Sequence, residues 1–217
     1  MASSPSPKVK SLRGPRISKP TGARVYRYVM THDTGFAPCF DEDTCTLACC
    51  KPRIRRTAKA GDWILGLASR RRGEALLLYA MQVGQILSFL DYAREPQFKG
   101  RMDNIYQPDG SGGLRRVAKH QHHLKLEDQQ RDWRGSNVLV ASWHWRNQEG
   151  LALRLALDSE MANRLWNPVR DYTVDRLDGE DLKKLVAKLM RMPRPDRRAG
   201  PVSRDRQRTT RRTCGLP

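Results

Sequence analysis

Apolar and polar residues alternate over residues 24–30, RVYRYVM, as they do in a strand with one buried face. The next stretch, 31–38, THDTGFAP, is dense in turn formers and predicts a loop. DWILGLAS, 62–69, predicts a second strand, and RRRG, 70–73, the turn after it. EALLLYAMQVGQIL, 74–87, is a long apolar strand in which Gly84 marks a bulge or bend. SFLDYAREPQF, 88–98, starts as a short helix and must break before Pro96. Residues 104–113 close with PDGSGG and predict a loop, whereas 120–135 is polar and shows no clear period. SNVLVASWHW, 136–145, is a clear strand, and 151–165 reads as strand then helix. The best helix is 178–192: Asp178 is placed to cap it, acidic residues fill the first turn and lysines follow.

Strands outnumber helices, the connections are irregular and no internal repeat is visible. The pattern predicts an α+β, mainly β fold: a small, partly closed β-barrel with peripheral helices rather than a doubly wound α/β sheet. Residues 1–22 and 192–217 carry almost nothing to bury, so a single domain over 23–191 between two disordered tails is expected, the second rich in arginine.

Charge changes the picture more than size does. The chain has 41 Lys+Arg against 23 Asp+Glu, a net charge of +18, and should be drawn to polyanions. Nucleic acid or a nucleotide is the expected partner, with the tails adding salt-sensitive phosphate attraction. No window approaches the roughly 18 apolar residues of a membrane span. The basic N-terminal segment lacks the apolar core of a secretory signal. A soluble cytoplasmic protein with no membrane partner is the expectation. Five cysteines make an odd number, and in a reducing compartment they should be thiols.

The chemistry concentrates between Cys45 and Ser69. A cationic run, Lys51, Pro52, Arg53, Ile54, Arg55, Arg56, leads through Lys59 into Gly61, Asp62 and Trp63 at the mouth of a predicted strand. Arginine pairs bidentately with phosphate, lysine acts as a point charge and an indole stacks on a base. The plain alternative is a solvated charge run, with Gly61 turning the chain, Asp62 bonding nearby amides and Trp63 in the core. The loop His32, Asp33, Thr34, Gly35, Phe36 is a candidate for ligand contact; Asp33 beside His32 also offers a general base. Ser69 can donate to a ligand oxygen. Tyr92, Asn104 and Tyr106 border another loop, where an amide can read a base edge. Cys39, Cys45, Cys49 and Cys50 are spaced C-x5-C-x3-C-C, poorly matched to zinc even with HQHH at 120–123 to complete a site. Buried thiols are the default, and Cys45 assisted by His32 is the nucleophile an enzyme would need. No Walker A, dinucleotide, zinc-protease or G-x-S-x-G signature appears, and no cofactor or metal is expected.

HDTGFAP, CTLACCKPRIRRTAKAGDWILGLAS, SFLDYAREPQF and SNVLVASWHW together resemble the second type of nucleotide-modification-associated domain, over about residues 24–166. The stretch 45–66 is the specific part. A looser, fold-level similarity is to PUA-like barrels, including EVE and ASCH domains, where a basic segment also precedes a Gly-Asp strand start. The resemblance implies a setting of modified nucleotides, partner proteins in such a system, and a pocket to which His123, ahead of RDWRG, contributes. The expected function is recognition of a modified base, by a pocket built from 32–36, 45–56 and Trp63. The alternatives are an enzyme acting on a nucleotide or base through His32, Asp33, Cys45 or His123, and a structural RNA-associated protein.

Overall fold

The computed structural model describes residues 23–31, 33–41, 43–68, 76–118, 122–153, 157–165, 172–175 and 179–191. The strands are β1 (Val25–Met30), β2 (Cys39–Phe40), β3 (Cys45–Leu47), β4 (Trp63–Ala68), β5 (Leu76–Ser88), β6 (Tyr106–Pro108), β7 (Leu114–Arg116), β8 (Asn137–Ala152) and β9 (Thr173–Asp175). The helices are α1 (Pro52–Thr57), α2 (Phe89–Arg94), α3 (Leu126–Trp133), α4 (Ser159–Leu165) and α5 (Gly179–Arg191).

Seven strands form one sheet in the order β2-β3-β8-β5-β4-β1-β9, and β6 pairs with β7 in a separate hairpin. β1 runs parallel to β4; the other pairs are antiparallel. The α+β, mainly β expectation holds, but the barrel does not form among the described residues: the sheet stays open, with β2 and β9 as its edges. Its centre is the long pairing of β5 with β8, in which Ser88 faces Asn137 at one end and Leu76 faces Ala152 at the other.

Side chains on β4 alternate between two cores, as the period of a strand requires. Trp63, Leu65 and Leu67 join Trp145 and the leucines of α4 and α5 on one face. Ile64 and Ala68 join Tyr26, Tyr28, Tyr79, Met81 and Ile54 of α1 on the other. A third cluster wraps the end of β5 and the start of β8, and holds Phe36, Cys49, Phe89, Tyr92 and Tyr106. The candidate site lies beside this third cluster.

The five long apolar or amphipathic segments appear where their periods place them, and β8 runs on to Ala152, past the predicted end. The polar stretch after residue 120 holds α3. The loop predicted at 104–113 holds β6, which turns back through the glycines to β7. Asp62 does brace its own turn: it accepts Lys59 N–H at 2.8 Å and Arg24 N–H at 3.0 Å. Gly61 supplies the positive φ of 89° that this turn needs. The predicted tails, the turn at 70–73 and the cap Asp178 lie outside the described residues.

Candidate functional site

The chain leaves β3 and turns sharply into α1 through Cys50 and Lys51. Both have left-handed backbone, φ 59° and 40°, before Pro52 opens the helix. Such conformations cost about 1–3 kcal/mol each in residues that are not glycine and persist where surrounding contacts enforce them. Here the enforcing contact is visible. The Cys50 N–H donates to Asp132 Oδ1 at 2.6 Å. The turn places Cys50, a half-buried residue, between a strand and a helix, a device that suits nucleophiles.

The sulfur lies 3.3 Å from Nε2 of His123. The other ring nitrogen, Nδ1, is 2.5 Å from Asp132 Oδ2, which also accepts the Tyr106 hydroxyl at 2.7 Å. The Asp132 side chain is fully buried and that of His123 is 13% exposed, so the imidazole is the member that solvent can reach. His123 is itself left-handed, φ 55°. The result is a thiol–imidazole–carboxylate relay, the geometry that activates a cysteine for covalent chemistry.

Burial opposes charge on both members of the ion pair. On His123, the bonds to Asp132 and to the Cys50 thiol outweigh it and push the imidazole up to about 10. On Asp132, burial is outweighed by the bonds from His123, Tyr106 and the Cys50 amide, and the carboxyl sits below its ordinary range. At neutral pH the pair is imidazolium and carboxylate. Asp132 stands in the last turn of α3, where a negative charge opposes the helix dipole, so its place there is not explained by helix stability.

Of the predicted site residues, several converge here. Phe36 stacks on His122 with centroids 4.6 Å apart and meets His123 edge-on at 5.0 Å, so the loop 33–36 walls the relay. Thr34 on that loop is exposed and Gly35 half-buried. Asp33 accepts the Gly35 N–H and pairs with Arg146 at 2.8 Å. Lys51 lays its ammonium over the Tyr28 ring, 4.3 Å from the centroid. Pro52 is half-buried at the first turn of α1, and Arg53 and Arg56 are exposed. His32 and Ser69 lie outside the described residues.

Others do structural work. Cys45 is buried against the Met81 sulfur at 3.9 Å, and burial pushes its thiol up, as it does for Cys39 and Cys49. Among the described cysteines Cys50, unlike Cys45, is not buried. Trp63 is 2% exposed and packs on Trp143 inside the core, so it offers no open face to a base. Ile54 is core and Arg55 is wholly buried. Tyr92 donates to Asp103 at 2.7 Å, and Asn104 braces the Tyr92 and Phe98 carbonyls. The pairing of Cys50 with His123, the residue Asp132 and the Tyr106–Asp132 bond escaped sequence reasoning. The one available signal was the acidic residue in RDWRG, close after the histidine cluster.

Cys49, His123 and Asp132 also offer sulfur, nitrogen and oxygen donors within 4.8 Å of one another. The carboxylate oxygens are already engaged by Cys50 N–H, Tyr106 and His123, and the Arg55 guanidinium lies 3.8 Å away. A neighbouring fixed cation repels a metal ion, so the donor set suits proton transfer better.

Fold and site define a mixed α/β protein, mainly sheet, with a strained cysteine held in a His–Asp relay. The chain belongs to the nucleotide modification associated domain 2 family, whose model matches residues 22–194. No curated protein and no solved structure gives a significant match. The family ties the chain to nucleotide modification. No helix among the described residues is long and apolar enough to cross a membrane.

Proposed function

We propose that this protein is a thiol-dependent transferase or hydrolase acting on a nucleotide or nucleic-acid base. The observation that carries the reading is the 3.3 Å approach of the Cys50 sulfur to an imidazole whose far nitrogen is locked onto a buried carboxylate. The Cys50 thiolate attacks an electrophilic carbon and forms an S–C bond. The bond from that carbon to its leaving group breaks, and His123 Nε2–H protonates the departing atom. Water or an acceptor then attacks the same carbon, gives its proton back to Nε2, and releases the thiolate. Asp132 keeps the ring oriented throughout and stays ionised.

Substrate charge fits the surroundings. Lys51, Arg53 and Arg56 follow the nucleophile directly and draw a phosphate toward it. The loop 33–36 supplies an aromatic wall. Recognition of a modified base would then be the selectivity step of this same site, in company with partner proteins of a cytoplasmic nucleotide-modification system.

The test is mass spectrometry of the intact chain after exposure to nucleotides and single-stranded oligonucleotides carrying plain and modified bases. A Cys50-linked adduct that Cys50→Ser abolishes and His123→Asn slows is the expected result. Binding that is selective and unchanged in Cys50→Ser, with no adduct and no product, instead establishes recognition without chemistry, which the exposed Arg53 and Arg56 also suit.

A further inference from the structure

Arg55 sits in the middle of a basic run that reads as phosphate-binding, yet its side chain has no exposure at all. Its guanidinium is spent on three backbone carbonyls from three segments. Nε donates to Cys50 O at 2.8 Å, Nη2 to Asp132 O at 2.5 Å and Nη1 to Asn137 O at 2.7 Å. The Asn137 side-chain amide answers by donating to Arg55 O at 3.2 Å. The Phe89 ring lies 5.3 Å from the guanidinium carbon. Gly135 leaves the necessary space: a Cβ there would stand 2.4 Å from Cζ and Nη2.

Burying a full charge is expensive, and an apolar side chain would fill the same volume at lower cost. What the guanidinium adds is a rigid plane that holds several acceptors at fixed spacing. Two of those acceptors are the carbonyls of Cys50 and of Asp132 themselves, 82 residues apart. The geometry points to Arg55 as a positioning residue of the thiol site: it locks the Cys50 turn against the end of α3 and thereby sets the sulfur-to-imidazole distance. The role rests on Cys50 being the nucleophile. Arg55 touches no reacting atom, and lysine cannot replace it, because one ammonium cannot span three carbonyls in a plane.

Iodoacetamide is the probe, with Cys50 alkylation followed by peptide mass spectrometry on the full chain between about pH 6.5 and about pH 10, the span over which His123 is shifted. In an otherwise unaltered chain, His123→Asn changes the rate at Cys50 relative to wild type. If it does not, the nucleophile reading itself fails. Where that dependence is present, Arg55→Lys lowers the neutral-pH rate by roughly 10- to 100-fold and erases the dependence on His123, as expected for a misplacement of about 1 Å. Gly135→Ala keeps Arg55 but displaces its guanidinium, and has the same effect. Asn137→Ala loosens the clamp and gives a smaller loss in the same direction, which covers unfolding of the first two. Tyr92→Phe removes a buried bond to Asp103 elsewhere and controls for lost stability: it keeps the wild-type rate and pH profile. A wild-type profile in every folded clamp variant, whatever its melting temperature, overturns the proposal and leaves the nucleophile reading standing.

Discussion

At the scale of residues, the His123–Asp132 bond has a signature that titration can read. His123 is held near 10, above its ordinary 6.5. Its bond therefore stabilises the fold in full below about pH 6.5, and the contribution fades as pH climbs toward 10. Asp132, held below its ordinary 3.8, contributes above that value and loses its share as pH falls further. Asp132→Asn removes the carboxylate that sustains the imidazolium. The expected outcome, read by NMR titration of the His123 ring, is a midpoint that drops from about 10 toward 6.5. The same variant should flatten the decline of stability between neutral and alkaline pH. A midpoint unmoved by Asp132→Asn would mean that the Cys50 thiol, not the carboxylate, holds the proton on the ring.

At the scale of elements, close packing on the Tyr79 face of the sheet leaves no room at Gly66 in β4. A Cβ there would stand 2.2 Å from the Tyr79 ring and 2.6 Å from the Met30 sulfur. Gly66→Ala should destabilise the chain by about 1–3 kcal/mol in urea unfolding, an overpacking cost. Long elements were legible in the chain because alternation or helical spacing had several turns in which to declare itself: β1, β4, β5, β8 and α5. β2, β3, β6, β7 and β9 have only two or three residues each, too few to show a period. α1 has six residues, and its basic surface hides the inward pair Ile54 and Arg55. The site suffered from the same shortness and from distance. Its cysteine lies within the predicted segment 45–56, but its partners are 73 and 82 residues away. Left-handed backbone at Cys50 has no sequence signature, so Cys45 looked equally apt. Arg55 illustrates the reverse error, since composition marks a charge but not whether it turns inward.

At the scale of the whole molecule, the net charge of +18 makes attraction to polyanions a property of the entire chain. Binding of a single-stranded oligonucleotide should weaken linearly with the logarithm of salt concentration. Arg53→Gln should reduce that slope by about 0.7 if Arg53 contacts one phosphate. A slope unchanged by the variant would assign the attraction to charges away from Cys50. The separation between the two halves of the relay has a further consequence, for the chain as it is made. Cys50 leaves the ribosome 82 residues ahead of Asp132. At about 5–20 residues per second, that is a wait of roughly 4–16 s. Through that interval the emerging polypeptide carries the sulfur without the acid that orients its imidazole. The relay is therefore assembled only by completion of the fold, and a stalled or truncated product ending before α3 lacks the carboxylate that orients it.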